Sequence, residues 1–128
     1  MSAPAPRVLV VDDEPAIRDL LVRALGMAGY DVVAVADGEA GLVAARNAEL
    51  PYDLVVTNSY MPSLSGEELI GQLRNLYPGL PILHLQNLAH PIGPNASSVP
   101  TLYQPFSIDA LLEAVARCLE KRIRRAEA

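Results

Sequence analysis

Four places in this chain carry residues that could do chemistry, and each stands at the end of an apolar run. Asp12-Asp13 closes Arg7-Val8-Leu9-Val10-Val11, and Asn58 closes Leu54-Val55-Val56-Thr57. Gln86 follows Pro81–Leu85, and Gln104 ends Thr101–Gln104. Adjacent carboxylates offer hard oxygen ligands to a divalent cation, or negative charge at the start of a helix. The three amides are each both donor and acceptor. None is a nucleophile, because nucleophilic attack by an acidic side chain needs a carboxylate lone pair. The set is suited to hydrogen bonding rather than to covalent chemistry.

These residues are positioned by an alternation of strands and helices. Arg7–Val11 is continuously apolar after its first residue, the pattern of a parallel strand buried on both faces. Pro15 fits the first turn of a helix. In that helix Ile17, Leu20, Leu21, Ala24 and Leu25 recur at helical spacing until Gly26 and Gly29 end it. Val32–Val35 reads as a second strand, and Asp37-Gly38 turns into a small-residue helix from Glu39 to about Ala48. Leu54–Thr57 is the third strand. Ser65 with Glu68 forms a capping box for a helix carrying Leu69, Ile70, Leu73 and Leu76, stopped by Tyr77-Pro78-Gly79. Pro81–Leu85 and Thr101–Gln104 are the fourth and fifth strands. Ser107 caps a last helix with Ile108, Leu111, Leu112, Val115 and Leu119 on one face.

Strict alternation predicts an α/β fold: a doubly wound, five-stranded parallel sheet with flanking helices, flavodoxin-like. Ligands of such sheets bind at the carboxyl ends of the strands, where Asp12, Asp13, Asn58, Gln86 and Gln104 lie. One segment breaks the rhythm. Between Leu85 and Thr101 come Pro91, Gly93, Pro94, Asn95, Ser97, Ser98 and Pro100. Three prolines deny a full helix there, so the fourth helix is expected to be short, irregular or missing.

A chain of 128 residues with 51% hydrophobic content fits one domain with its own core. Residues 1–6 read as a disordered lead without a signal peptide's hydrophobic segment, residues 7–120 as the domain, and 121–128 as a basic helix end. The single cysteine, Cys118, excludes a disulfide framework and suits a reducing cytoplasm. No apolar run approaches the ~20 residues of a membrane span. The net charge of −5 is uneven, since residues 1–116 carry 13 acids against 5 bases. Such a body is a poor partner for nucleic acid. Arg117, Lys121, Arg122, Arg124 and Arg125 complement the dipole of the last helix. The expectation is a cytoplasmic protein with neither membrane nor nucleic acid as partner.

Three segments carry a family resemblance. Val8-Leu9-Val10-Val11-Asp12-Asp13-Glu14-Pro15, Asn58-Ser59-Tyr60-Met61-Pro62 and Gln104-Pro105-Phe106 resemble, in order and register, the signatures of response-regulator receiver domains of the chemotaxis-regulator type. The resemblance covers residues 7–120. It implies a place in a two-component phosphorelay. In that family the strand-one acids hold Mg²⁺, and a strand-three Asp takes a phosphoryl group from a histidine kinase. A strand-four Thr or Ser bonds the phosphoryl oxygen, and a Lys before Pro-Phe neutralises its charge. These roles demand hard oxygen ligands, a carboxylate nucleophile and fixed positive charge.

Asp12 and Asp13 meet the first demand. Asn58, Gln86 and Gln104 replace the Asp, the hydroxyl residue and the Lys, and the chain's only lysine is Lys121. An isolated Asp-to-Asn exchange would have left the hydroxyl and the Lys in place. The resemblance therefore implies a degenerate pseudo-receiver that is not an enzyme and requires no cofactor. At most it has a weak Mg²⁺ or Ca²⁺ site at Asp12 and Asp13, helped by the Tyr60 carbonyl, and the pair's role as anchors of the first helix is preferred. Losing Asp and Lys together leaves neither buried and unpaired, which would cost on the order of 3–5 kcal/mol. The amides are expected to form a static network joining Asn58, Gln104 and Asp12 or Asp13.

The family often has a Tyr or Phe three positions before the Lys. Here that place is Thr101, and Tyr103 shares its face by strand alternation. Thr101 and Tyr103 are thus the expected partner surface, on the face of the fourth helix, fifth strand and fifth helix. The partner would be a histidine kinase, another signalling protein or a second copy of the chain. The proline-rich abbreviation before Thr101 resembles receivers attached to hybrid histidine kinases. His84 reads as a packed strand histidine, and His90 as a loop residue with no second ligand at metal spacing. Gln104-Pro105 is expected to be cis, as the matching bond is in the family. Two other readings compete: a conventional regulator phosphorylated on a substitute residue, and a small nucleotide- or metal-binding flavodoxin-like protein. The lack of any Gly-x-Gly-x-x-Gly or P-loop after a strand tells against the last.

Overall fold

The β-branched runs become five strands: β1 Arg7–Val11, β2 Asp31–Val35, β3 Leu54–Asn58, β4 Ile82–Asn87 and β5 Thr101–Gln104. All pair in parallel, in the order β2-β1-β3-β4-β5. Four helices connect and flank them: α1 Pro15–Met27, α2 Gly38–Arg46, α3 Gly66–Leu76 and α4 Ile108–Glu127. The computed structural model describes residues 4–87 and 93–127, with Ser97 and residues 121–127 described by backbone alone. The expected lead falls partly outside these residues, as do His90 and Pro91. Among the described residues no helix is long and apolar enough to cross a membrane.

Strand alternation divides the core into two layers. Val8, Val10, Leu54, Val56, Leu83 and Leu85 pack against Leu21 and Leu25 of α1 and Leu111 and Val115 of α4. Leu9, Val11, Val55 and Ile82 pack on the other face with Leu69, Ile70 and Leu73 of α3. Full burial of each such side chain contributes about 1.5–3 kcal/mol, enough to set the strand register that aligns the carboxyl ends.

Local chemistry starts the helices where the sequence places the signals. Pro15 opens α1, Asp37 Oδ1 accepts from Ala40 N at 2.7 Å, and Ser107 Oγ accepts from Ala110 N at 3.0 Å. Ser65 Oγ accepts from Glu68 N at 3.1 Å. The return half of that capping box differs from expectation, because Glu68 Oε1 takes the Ser65 hydroxyl at 3.3 Å. Gly29, at φ 97°, ends α1 in the left-handed region that glycine tolerates.

Three boundaries depart from the sequence reading. β3 extends to Asn58 and β4 spans Ile82–Asn87, so Asn58, Gln86 and Asn87 lie within the ladder. α2 ends at Arg46. The backbone of α4 runs on to Glu127, through the residues read as a basic helix end.

Among its described residues the interrupted segment holds a single 3₁₀ turn, Ala96–Ser98, where a fourth helix would stand. α3 holds it in place. The Glu67 carboxylate accepts from Asn95 N at 2.6 Å and Ala96 N at 2.8 Å. Asn95 Nδ2 donates back to the Glu67 carbonyl at 3.3 Å, and Arg74 donates to Ser98 Oγ.

Candidate functional site

The carboxyl ends of β1, β3, β4 and β5 surround a recess of about 420 Å³ lined by Asp13, Glu14, Pro15, Asn58, Tyr60, Asn87 and Gln104. Two carboxylates and three amides face it, and among the described residues no basic side chain lines it. A phosphoryl group there would meet negative charge, with no fixed cation among the described lining residues to neutralise it.

Asn58 sits at the centre. Its Nδ2 donates to Asp13 Oδ1 at 3.2 Å and to the Tyr60 carbonyl at 3.2 Å. Its Oδ1 accepts from Ser59 N at 2.9 Å. These bonds agree on one orientation of the amide, and turning it over would break all three. The backbone beneath is equally constrained. Thr57 Oγ1 donates to the Asn58 carbonyl at 3.0 Å, Ser59 N donates to Leu85 O at 3.0 Å, and Gly66 N to Ser59 O at 2.9 Å. A Cβ on Gly66 would lie 2.0 Å from the Asn58 carbonyl oxygen. Only glycine lets α3 start this close to the end of β3.

The strand-one acids part ways. Asp13 is exposed and lines the recess, whereas Asp12 is buried, with 1% of its surface accessible. Asp12 Oδ1 accepts from Glu14 N at 2.9 Å, and Arg18 donates to the Asp12 carbonyl at 2.9 Å. Asp12 thus fixes the entry to α1. Its Oδ2 has no hydrogen-bond partner among the described residues. Burial pushes its pKa up from 3.8 to about 6, against the lowering by the Glu14 amide, and the charges of Asp13 and Glu14 add to the rise.

One amide is not where the sequence reading put it. Gln86 does not line the recess. It is buried, with Nε2 donating to the Asn87 carbonyl at 2.7 Å. Alternation along β4 sets Gln86 on the side of His84, while Asn87 shares the side of Leu85, which pairs with Asn58. Asn87 is therefore the strand-four residue of the recess. Extending the fourth strand by two residues would have identified it. Gln104 lines the recess as expected, but its side chain makes no hydrogen bond among the described residues. The network joins Asn58, Asp13 and Tyr60, without Gln104 or Asp12.

The geometry also tests the metal that the family resemblance implies. Mg²⁺ needs an octahedron of hard oxygens. The oxygens of Asp13 and Tyr60 that face Asn58 both accept from its N–H groups, which point hydrogens where a cation would stand. Among the described residues no group of three or more His, Cys, Asp or Glu is arranged to hold a metal. With the amide in this orientation, two of the oxygens that would hold Mg²⁺ are already taken by its N–H groups.

Farther out, His84 is fully buried, as its strand context predicts, and neither ring nitrogen has a hydrogen-bond partner among the described residues. Burial lowers its pKa from 6.5, and Glu67 opposes the shift. β5 is an edge strand. Tyr103 is 45% exposed on it, and Thr101 is partly buried with Oγ1 donating to the Val99 carbonyl at 3.3 Å. The Gln104-Pro105 peptide is cis.

Comparison with known proteins gives one consistent result. A family model described as the response regulator receiver domain matches residues 8–91. The response regulator protein FleR of Pseudomonas aeruginosa is 37% identical in an alignment 122 residues long that covers 88% of this chain and 24% of that protein. The probable transcriptional regulatory protein TcrX of Mycobacterium tuberculosis is 40% identical over 78 residues, 61% of this chain and 32% of that one. The chain spans only about a quarter to a third of these two relatives. Among solved structures, the chemotaxis protein CheY4 of Vibrio cholerae superimposes with TM-score 0.78 at 30% identity, covering 90% of this chain and 99% of that one. The receiver domain of the hybrid histidine kinase CckA gives TM-score 0.73 at 32% identity, covering 88% and 98%.

Proposed function

The chain belongs to the response regulator receiver family, and we propose that it serves two-component signalling as a protein-interaction module that does not accept phosphate at Asn58. The observation that carries this reading is the Asn58 amide itself. It stands at the end of β3 with its nitrogen donating to Asp13 and Tyr60 and its oxygen accepting from Ser59. An amide held this way presents no nucleophile to an incoming phosphoryl group. The acidic, lysine-free lining of the recess supports the same reading, since a phosphoryl adduct would add charge where Asp13 and Glu14 already stand.

Without phosphorylation, the contribution of the domain is its surface. The edge strand β5, with Thr101 and the exposed Tyr103, lies between the 3₁₀ turn and α4. It is the face assigned here to a histidine kinase, another signalling protein or a second copy of this chain. The acidic body argues against nucleic acid as the partner of this domain.

Intact-mass measurement after incubation with acetyl phosphate and Mg²⁺ tests the proposal. Unchanged mass is expected for the native protein. A gain of one phosphoryl group would overturn the reading and would identify, by peptide mapping, a substitute acceptor. Capture of partners with the native chain and with Tyr103→Ala then tests the surface. Equal capture by both would remove Tyr103 from it.

A further inference from the structure

We propose that the Asn58 side-chain amide performs internally the bridging that a divalent cation performs in a metal-binding receiver: it ties the end of β1 to the loop after β3, so that the loop is set without metal and the recess does not take up Mg²⁺. This rests on the reading of Asn58 as a residue that does not accept phosphate.

Two oxygens from distant parts of the chain converge on one nitrogen. Asp13 Oδ1 comes from the end of β1, 45 residues earlier, and the Tyr60 carbonyl comes from the loop that follows β3. Bridging a carboxylate to a backbone carbonyl is a task for a cation or for a group with two N–H donors, and a primary amide has two. The third atom of the amide is committed as well, because Oδ1 holds Ser59 N at 2.9 Å. To offer oxygen to an ion the amide must turn over, losing these bonds and pointing hydrogens at Ser59 N. The loop is also gripped at its far side. Gly66 N donates to Ser59 O, and Met61 is buried, with 4% of its surface accessible. The segment from Asn58 to Gly66 is therefore held by contacts that require no ion.

The experiment compares the native protein with Asn58→Asp and Asn58→Ala, using Mg²⁺ in thermal melts and Mn²⁺ as a paramagnetic probe in NMR. For the native protein the melting temperature is expected to be the same in EDTA and in millimolar Mg²⁺, with no selective Mn²⁺ broadening at the amides of Asp13 and Tyr60. Asn58→Asp replaces two donors by a second carboxylate and should melt about 5–15 °C lower in EDTA. Mg²⁺ should restore it, and Mn²⁺ should broaden those amides. Asn58→Ala, which removes the bridge without adding charge, should also melt lower but gain nothing from Mg²⁺.

Selective broadening in the native protein, or a Mg²⁺ stabilisation equal to that of Asn58→Asp, would overturn the proposal. So would an Asn58→Ala variant that melts with the native protein. These readouts are independent of the mass measurement. A phosphoryl adduct on a native protein that ignores Mg²⁺ would defeat the functional reading alone, and Mn²⁺ binding without an adduct would defeat this one alone.

Discussion

Replacing Asp12 by Asn should stabilise the protein at neutral pH, by an amount that the burial of Asp12 sets. The carboxyl is buried and its pKa stands at about 6 rather than 3.8. A raised carboxylate pKa means that the folded state holds the proton more tightly than the unfolded chain does. Below the unfolded value both states are protonated and there is no penalty. As pH rises through 3.8 the unfolded chain ionises first, and stability is lost progressively until the folded carboxyl ionises near pH 6. Above that the penalty is constant. A displacement of about two units, at about 1.4 kcal/mol each, gives about 3 kcal/mol.

Asparagine keeps the oxygen that accepts from Glu14 N and carries no charge. Its Nδ2 replaces the Oδ2 that lacks a hydrogen-bond partner among the described residues, which trims the gain and puts the expectation at about 1–3 kcal/mol. Urea unfolding followed by circular dichroism, in EDTA, measures the difference between variant and native protein across pH. The other titrations cancel in that difference where the sites are independent. Asp12→Asn should be the more stable protein at about pH 8, and its advantage should fade between about pH 6 and pH 4. An advantage that does not change with pH, or a variant less stable at high pH, would refute the argument that burial of a charge dominates at Asp12.

Two further outcomes concern the side of the sheet that α3 covers. His84 is buried with neither ring nitrogen hydrogen-bonded among the described residues. Its folded pKa lies below 6.5, so the unfolded chain takes up the proton first and stability falls as pH drops below 6.5. His84→Leu should remove that acid-side loss and add about 1–3 kcal/mol near neutrality, read from urea midpoints. An unchanged acid limb would place its cause elsewhere. Glu67→Ala removes the carboxylate that holds Asn95 N and Ala96 N. Because these bonds are partly exposed, a loss of about 1–3 kcal/mol is expected. Amide hydrogen exchange should speed selectively at Asn95 and Ala96. Uniform acceleration across the protein would show that the carboxylate stabilises the whole fold rather than this turn.

The fold was legible because its signals were local and mutually consistent. Val8 to Val11 and Leu54 to Thr57 announce strands buried on both faces, and Pro15, Asp37, Ser65 and Ser107 mark helix starts by capping chemistry that acts within one turn. The interrupted fourth helix was legible for the same reason, since prolines act on their own backbone. The site was legible in identity but less so in arrangement. Asn58, Asp13 and Gln104 reach the recess as their strand-end positions imply. Asn87 was missed because strand ends are weakly encoded: two more ladder residues on β4 exchange the roles of neighbouring side chains. The hold of Glu67 on Asn95 and Ala96, across 28 residues, leaves no local signal, because a surface Glu on α3 looks like any other.

Asn58 and Glu67 lie on different sides of the sheet's carboxyl edge, yet they act alike. A receiver that switches needs a charge that arrives and an element that has two arrangements of similar free energy. In this chain the bridge from Asp13 to Tyr60 is a neutral amide of the protein itself, and the turn that replaces the fourth helix is held to α3 by an internal carboxylate. Neither bond depends on a ligand that comes and goes. Both therefore favour a single arrangement of the loop after β3 and of the edge at Thr101 and Tyr103. A surface fixed in this way can discriminate partners only by its own shape and charge. On the proposed reading, in which Asn58 takes no phosphoryl group, the state of the system is carried by the partner rather than by modification of this domain.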